Sequence, residues 1–560
     1  VNDDEAPVSV RRAPPEHPRV AASSQSRALS HRALAVLLVL VVSLLWASVR
    51  LLGRTHEPVF PASEERCSFC FSNALSSHAV LQRAPASASL WGFSSAGDEV
   101  ECTLHLSDGA AQTPSVRTRA DLLGRWVLSL PPQPAGGPHS VHCASRVAWP
   151  GHTATLEDVL FGDVFLCAGQ SNMAFPAVRS LDAADQVEAS ANLPRIRLLS
   201  VGKGTRQSPK PGVPLAQFGA LELPWSVAGP ETVGAADYFS AVCWSAGRRL
   251  YDTLQGAVPV GLIVSAWGGT CVEQWSPDAA LTQCSQPAGQ GRLFDALIAP
   301  LAPHMRLAGV LYYQGESNVG TAEVHGCGAW GASYACAFKA LVQSWRVAFQ
   351  DPKLFFAFVQ LAPYVAMLPG SESNNTALAV LRAAQAAALT LPRTAMLSAI
   401  DLGDAESPFR DIHPRGKSTV GERLADAAAA ALYRLEKPVS PFFAHASRVA
   451  GKPLTLLVRL DAASVAGGLV HRPAVCPHTV HPVHCRGWEL QLADGSWHEA
   501  RVVDVRDDGV MVAAIKPLGD AAVVTGVQYA WASWPLASLF SRDGLPVLPF
   551  RSSTLRDEEP

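Results

Sequence analysis

Hydrophobic and polar positions divide the chain into regimes with different periods. Residues 1–32 are polar and basic and predict a solvated, disordered arm. Ala33–Val49 then run with nothing more polar than Ser43 and Ser48, and extension through Leu51 and Leu52 gives a hydrophobic helix over 33–52. Seventeen helical residues rise about 25 Å, slightly short of a bilayer's apolar core, so the extension matters. From Cys67 to Asp158, short alternating stretches (SASLWGF, DEVECTLHL, GRWVLSLPP, HSVHC) are separated by turns, predicting a β-sandwich over 65–158.

A second change comes at 159. Short apolar runs beginning at Val164, Val260, Gly309, Leu354 and Ala395 alternate with helical stretches. In one stretch Phe338, Leu341, Trp345 and Phe349 share a face; others are Leu378–Leu391 and Lys417–Lys437. Buried strands alternating with helices predict a parallel sheet covered on both faces over 159–437. Strands return over 438–551, where Asp494-Gly495 and Asp508-Gly509 mark hairpins in a C-terminal β domain, and 552–560 is a polar tail.

Composition narrows the class. The chain is 48% hydrophobic and 17% charged, enough for a sizeable core. Its 45 basic and 48 acidic residues leave a net charge of −3, which removes the electrostatic case for a nucleic-acid partner. The basic flank before residue 33 predicts a cytoplasmic N-terminus with the remainder translocated, as a signal anchor or a cleaved signal peptide. The long leading segment favours the anchor, and Val1 leaves the true N-terminus open. Twelve cysteines fit disulfides in an oxidising lumen (Golgi or lysosome) or outside the cell, with Cys327/Cys336 and Cys476/Cys485 spaced to staple short loops. Asn374-Asn375-Thr376 is a glycosylation acceptor. The tract Cys476, His478, His481, His484 and Cys485 reads as a disulfide-closed hairpin before a zinc site.

Chemistry concentrates after the apolar runs of the 159–437 region, where open α/β sheets place their sites. The first run ends in GQSNM, presenting Ser171 at a strand-to-helix turn with backbone N–H groups beside it. The second ends in SAWGGT, where Gly268 and Gly269 offer bare N–H groups, and the third in YYQGESN, with Gln314 and Glu316. Further on, DIHPRGK supplies His413, a general base for Ser171, with Asp411, Asp404 and Asp401 before it. Any one block has an ordinary reading as a cap or loop. Their order at successive strand ends favours nucleophilic catalysis.

These blocks resemble those of the SGNH-hydrolase superfamily and, more closely, the sialate O-acetylesterase family. VLQRAPASASLWGF, FSAVCWSAGRRLYDTL, YAWASWP and GLPVLPFR extend the resemblance from about Phe69 to Arg551. It implies a flavodoxin-like α/β/α core with flanking N- and C-terminal β domains, outside which the N-terminal hydrophobic helix lies. It also implies a serine esterase without cofactor or metal, acting on an O-acetylated sugar, with sialic acid favoured. Ser171 becomes the nucleophile and His413 the base. The Ser171 N–H, Gly269 (or Gly268) and Gln314 become oxyanion donors, while Gln170, Asn172, Glu316 and Arg410 line the substrate, Glu316 mainly as a brace.

Many SGNH enzymes carry the acid three residues before the histidine, and Arg410 stands there. Asp411 is therefore the first choice and Asp404 the alternative, with a dyad supported by a backbone carbonyl also open. An acetylxylan or other glycan esterase and an inactive carbohydrate-binding protein are the rival functions. A membrane-anchored adhesion protein is a third.

Overall fold

Seven strands build the central sheet: β1 (Thr153–Gly169), β2 (Ile196–Val201), β3 (Leu221–Val227), β4 (Val260–Ala266), β5 (Gly309–Tyr313), β6 (Phe355–Gln360) and β7 (Thr394–Ser398). Their order is β3-β2-β4-β1-β5-β6-β7, parallel apart from the antiparallel edge strand β3. This is a computed structural model describing residues 67–107, 113–201, 217–234, 239–287, 289–302, 304–320, 327–365, 376–465, 467–516, 518 and 522–559. The expected arm, the apolar run 33–52 and the acceptor Asn374 lie outside the described residues, among which no helix is long and apolar enough to cross a membrane.

β1 explains why the site forms where it does. The chain leaves it for β2 on one side, returns through β4, and then crosses to β5 on the other side. The carboxyl end of β1 is thus the point where the winding reverses, and the crevice opens between β4 and β5. All eleven residues from Val159 to Gly169 are buried, as expected of a strand enclosed on both faces.

The expected boundary at Asp158 falls within β1. The amino-terminal half of that strand pairs with Gly136–Ser145, which continues the sheet into Glu99–His105 and Val116–Arg119. Cys70–Phe71, Ser89–Phe93 and Arg125–Ser129 form a separate three-stranded sheet. One layer of the N-terminal β region is therefore continuous with the central sheet, because one strand serves both.

Helices follow the apolar periodicity. α1 (Ser171–Ala174) is a single turn, and α2 (Ala241–Thr253), α3 (Ala332–Ala348), α4 (Ala377–Ala386) and α5 (Lys417–Tyr433) follow it. Phe338, Leu341 and Trp345 are all buried on α3, as their spacing predicts. α2 and α5 approach closely at Gly421, where a Cβ would lie 2.5 Å from the Val242 carbonyl oxygen. That approach brings the start of α5 and the histidine loop before it to the sheet edge.

An eight-stranded sheet within 443–559 contains both predicted hairpins, Trp488–Leu492 with Trp497–Arg506 and the latter with Gly509–Ala514. Arg382 on α4 is fully buried and joins this region to the core. It donates to the carbonyls of Leu361 and Ala362 at 2.7 and 3.0 Å, and to those of Ala532 and Ser533 at 2.7 and 3.3 Å.

Six disulfides join Cys67–Cys70, Cys102–Cys143, Cys167–Cys243, Cys271–Cys327, Cys284–Cys336 and Cys476–Cys485. The 476–485 pair closes a short loop as its spacing predicts, which places both sulfurs in a covalent bond. The expected Cys327/Cys336 staple is replaced by two longer links. Cys336 lies on α3 and faces Cys284, while Cys327 reaches the loop after β4. Proximity in sequence does not set the pairing when a helix carries one partner away.

Candidate active site

The carboxyl ends of β1, β4 and β5 finish in register, with Gly169 opposite Ala266 on one side and Tyr313 on the other. The chain is fastened immediately beyond. Trp267 N–H donates to the Gly169 carbonyl at 2.9 Å, and Gln170 N–H to the Tyr313 carbonyl at 2.9 Å. Gly169 adopts φ +138, and a Cβ there would sit 2.1 Å from the Tyr313 carbonyl oxygen. Only glycine allows that approach and turn. The three polar blocks predicted from sequence therefore emerge side by side.

Ser171 opens α1, directly after the extended Gln170. Its Oγ lies 2.9 Å from His413 Nε2, across 242 positions of sequence. His413 Nδ1 lies 2.9 Å from the Phe409 carbonyl oxygen, which orients the ring with Nδ1–H donating and leaves Nε2 as the acceptor for the serine proton. Burial pushes the imidazole pKa below its usual value. The Phe409 carbonyl opposes this, Lys417 and Arg410 add to it, and Asp411 opposes it again.

The expected acids are engaged elsewhere. Asp411 accepts from Val365 N–H at 2.7 Å, and Asp404 accepts from Arg415 Nε at 2.6 Å. Burial alone would raise the Asp404 pKa, but the bonds from Arg415 outweigh it and hold the carboxyl below its usual range. A backbone carbonyl thus occupies the place where a triad carboxylate would stand. Asp411→Asn should accordingly keep kcat/KM for an acetyl ester within about tenfold of wild type, against a loss of about 10⁴ for a triad acid. Steady-state kinetics on the two proteins decides it; a loss of about 10³ or more returns the role to Asp411.

The amides of the strand-end blocks form a buried brace, which corrects their expected roles. Gln314, 1% exposed, donates through Nε2 to Asn318 Oδ1 (2.8 Å), the Thr270 carbonyl (3.1 Å) and Gln170 Oε1 (3.3 Å). Tyr334 Oη donates to its Oε1 at 3.2 Å. With its hydrogens spent on internal acceptors, Gln314 is not poised as an oxyanion donor. Gln170 Oε1 also accepts from the N–H groups of Gly315 and Ser317, at 3.3 and 3.2 Å. Asn172 Nδ2 donates to Glu316 Oε1 at 2.5 Å and to the Ile412 carbonyl at 2.9 Å. Gln170, Asn172 and Glu316 are all buried, so they shape the crevice from behind rather than line the substrate.

Backbone groups remain for the oxyanion. Gly268 packs on Ser171: a Cβ there would lie 3.3 Å from Ser171 Cβ and 4.0 Å from Ser171 N. Gly268 and Gly269 are exposed, and Gly269 adopts φ +73 with open space at its Cβ position. Arg410 is exposed on the turn before His413, in a left-handed conformation at φ +67. Phe175 and Trp244 are core residues; Phe175 packs edge-on against Phe409 at 5.4 Å.

Residues 161–430 match the family described as carbohydrate esterase, sialic acid-specific acetylesterase. The human sialate O-acetylesterase is 35% identical over 395 residues, covering 65% of this chain and 71% of its own. The chain belongs to the sialate O-acetylesterase family. The mouse sialate O-acetylesterase is 33% identical over 544 residues, covering 86% of this chain and 94% of its own. A carbohydrate acetylesterase from Xanthomonas citri is similar in structure at TM-score 0.70 and 30% identity, over 86% of this chain and 99% of that one. Family membership makes the protein a carboxylic ester hydrolase, which removes the binding-only and adhesion readings.

Sequence reasoning left a dyad supported by a backbone carbonyl open without naming Phe409, and it missed Lys417. The Phe409 carbonyl carries no side-chain signal. Lys417 stood within the DIHPRGK block without a role; its position four residues after His413 was the one available clue.

Proposed function

We propose that this enzyme removes O-acetyl groups from sialic acids through an acetyl-serine intermediate. Ser171 Oγ attacks the acetyl carbonyl carbon while His413 Nε2 takes the hydroxyl proton. The tetrahedral oxyanion rests against the N–H groups of Ser171 and of Gly269 or Gly268. Collapse breaks the ester bond, and the sugar oxygen leaves with the proton held by His413. Water then attacks the acetyl-serine, giving its proton to the same imidazole, and acetate departs as Ser171 regains its hydrogen. No step calls for a cofactor.

The observation that carries this reading is the 2.9 Å contact between Ser171 Oγ and His413 Nε2 beside bare glycine backbone, in a chain of this family. Sialic acid brings a carboxylate, and Arg410 supplies an exposed cation next to the base. Six disulfides fit a secretory route, with the protein lumenal or extracellular.

Acetate release from 9-O-acetylated sialic acid, compared with acetylated xylan, tests the substrate. Turnover of the sialic acid alone supports the proposal; turnover of xylan alone moves the substrate to a neutral glycan. Arg410→Ala should raise KM for the acetylated sialic acid about five- to fiftyfold, the loss of one charge-assisted contact, and leave an uncharged aryl acetate within about twofold. Equal loss on both esters would remove Arg410 from carboxylate recognition.

A further inference from the structure

Behind the nucleophile lies a lysine that neither the chemistry above nor the packing of α5 requires. Lys417 is 1% exposed, and its Nζ donates to Asn172 Oδ1 at 2.7 Å and to the Pro414 carbonyl. The ammonium also faces the Phe175 ring, with Nζ 4.8 Å from the centroid, and the Tyr313 ring at 5.9 Å. It is the first residue of α5, the end of a helix where a positive charge opposes the dipole. A buried cation at that end is costly twice over, by desolvation and by the dipole, so its retention calls for a role.

Its contacts supply one. Asn172 follows the nucleophile directly, and its amide has two faces that differ only by O and N. With Lys417 donating to Oδ1, the Nδ2 group is turned toward Glu316 Oε1 and the Ile412 carbonyl. Ile412 precedes His413, and Pro414 follows it. One ammonium and one amide therefore grip the histidine loop on both sides and tie it to the turn that carries Ser171.

We propose that Lys417 is a positioning residue for the ester hydrolysis, fixing the Asn172 amide so that the Ser171 turn and the His413 loop stay locked together. The inference rests on the proposed roles of Ser171 and His413, but not on which acetyl ester is the natural substrate.

The charges around Lys417 agree with this arrangement. Glu316 faces it from the loop after β5, Asp404 from the loop after β7, and His413 from its own loop. Burial pushes the lysine down to about 7 and is opposed by Glu316 and Asp404; burial also raises the Glu316 carboxyl, opposed by Asn172 and by Lys417. The ammonium in turn lowers the His413 pKa, favouring the neutral imidazole that accepts the serine proton.

The test compares full-chain wild type with Lys417→Met, Lys417→Gln, Asn172→Ala and the Asn172→Ala/Lys417→Met double variant. Acetylated sialic acid and a generic aryl acetate are the probes, assayed from about pH 5 to 8. Lys417→Met should lower kcat about 10- to 100-fold with KM within about twofold, the penalty of a displaced nucleophile–base pair. Its acid limb should move to higher pH, because the ammonium that lowers the His413 pKa is gone. Lys417→Gln, which keeps a donor for Asn172 without the charge, should recover most of kcat and keep the raised limb. Adding Lys417→Met to Asn172→Ala should cost less than about twofold more, because both act through one contact.

A Met variant with wild-type kcat and acid limb, or an additive cycle, overturns the proposal. So does failure of both lysine variants to fold, which would make Lys417 a structural residue. If wild type turns over only the aryl acetate, the sialic acid reading fails while the role of Lys417 is still decided on that ester.

Discussion

Ser171→Ala should abolish turnover, lowering kcat for acetylated sialic acid by at least about 10⁴-fold while leaving binding of the substrate nearly unchanged. The size follows from what is lost. Without Oγ there is no atom at the mouth of β1 to form the acetyl-enzyme, and His413 Nε2, 2.9 Å from Oγ in wild type, has no proton to take. Residual hydrolysis would come from water oriented by the backbone donors alone, a contribution that survives loss of the nucleophile in other serine hydrolases. Ser171 is partly buried and its side chain is small, so the substitution leaves α1 and the Gly268 contact in place. Acetate release measured beside calorimetric binding of the uncleaved substrate separates the two quantities. A variant keeping more than about 1% of wild-type kcat would mean that another group is the nucleophile.

The second large effect is expected at His413. His413→Ala should lower kcat about 10³- to 10⁴-fold, since the serine hydroxyl then gives its proton to water and the leaving sugar oxygen lacks an acid. The wild-type pH profile carries a further sign. Burial, opposed by the Phe409 carbonyl and reinforced by Lys417 and Arg410, depresses the imidazole pKa below its ordinary value of about 6.5. The active form is the neutral ring, so activity is present above the depressed pKa and is lost as pH falls through it. The acid limb of kcat/KM should therefore lie below about 6.5 and be absent in His413→Ala. A limb above that value would contradict the buried, cation-flanked setting. Retention of the limb in the alanine variant would assign it to another group.

How much of this was legible depends on the kind of group involved. Ser171, Gly268 and Gly269 stood out because polar or bare positions directly after buried apolar runs are rare and have few structural uses, and His413 because an imidazole preceded by carboxylates is the residue type a serine calls for. The strands beginning near Val260, Gly309 and Leu354 and the apolar face of α3 were readable from their periods alone. The edge strand β3 was not, because an antiparallel strand on the margin of a parallel sheet has no distinctive run; its neighbour β2 also went unread, although all six of its residues are buried. Gln314 and Asn172 were misassigned for a different reason. Their amides have the chemistry of oxyanion and substrate donors, yet burial made internal partners obligatory for them.

The amino-acid sequence by itself pointed to nucleophilic catalysis, through the residue types of its polar blocks and their order along the chain, and to an ester hydrolase through the resemblance those blocks carry. Its twelve cysteines pointed to an oxidising setting. Only the tertiary structure decided that the Phe409 backbone carbonyl stands at His413 Nδ1, that Asp411 and Asp404 accept from Val365 and Arg415, and which cysteines meet. These are matters of distance between chemically equivalent candidates. A hydrogen bond or a disulfide forms with whichever partner the packing brings within about 3 Å or 2 Å, and packing is a property of the whole chain.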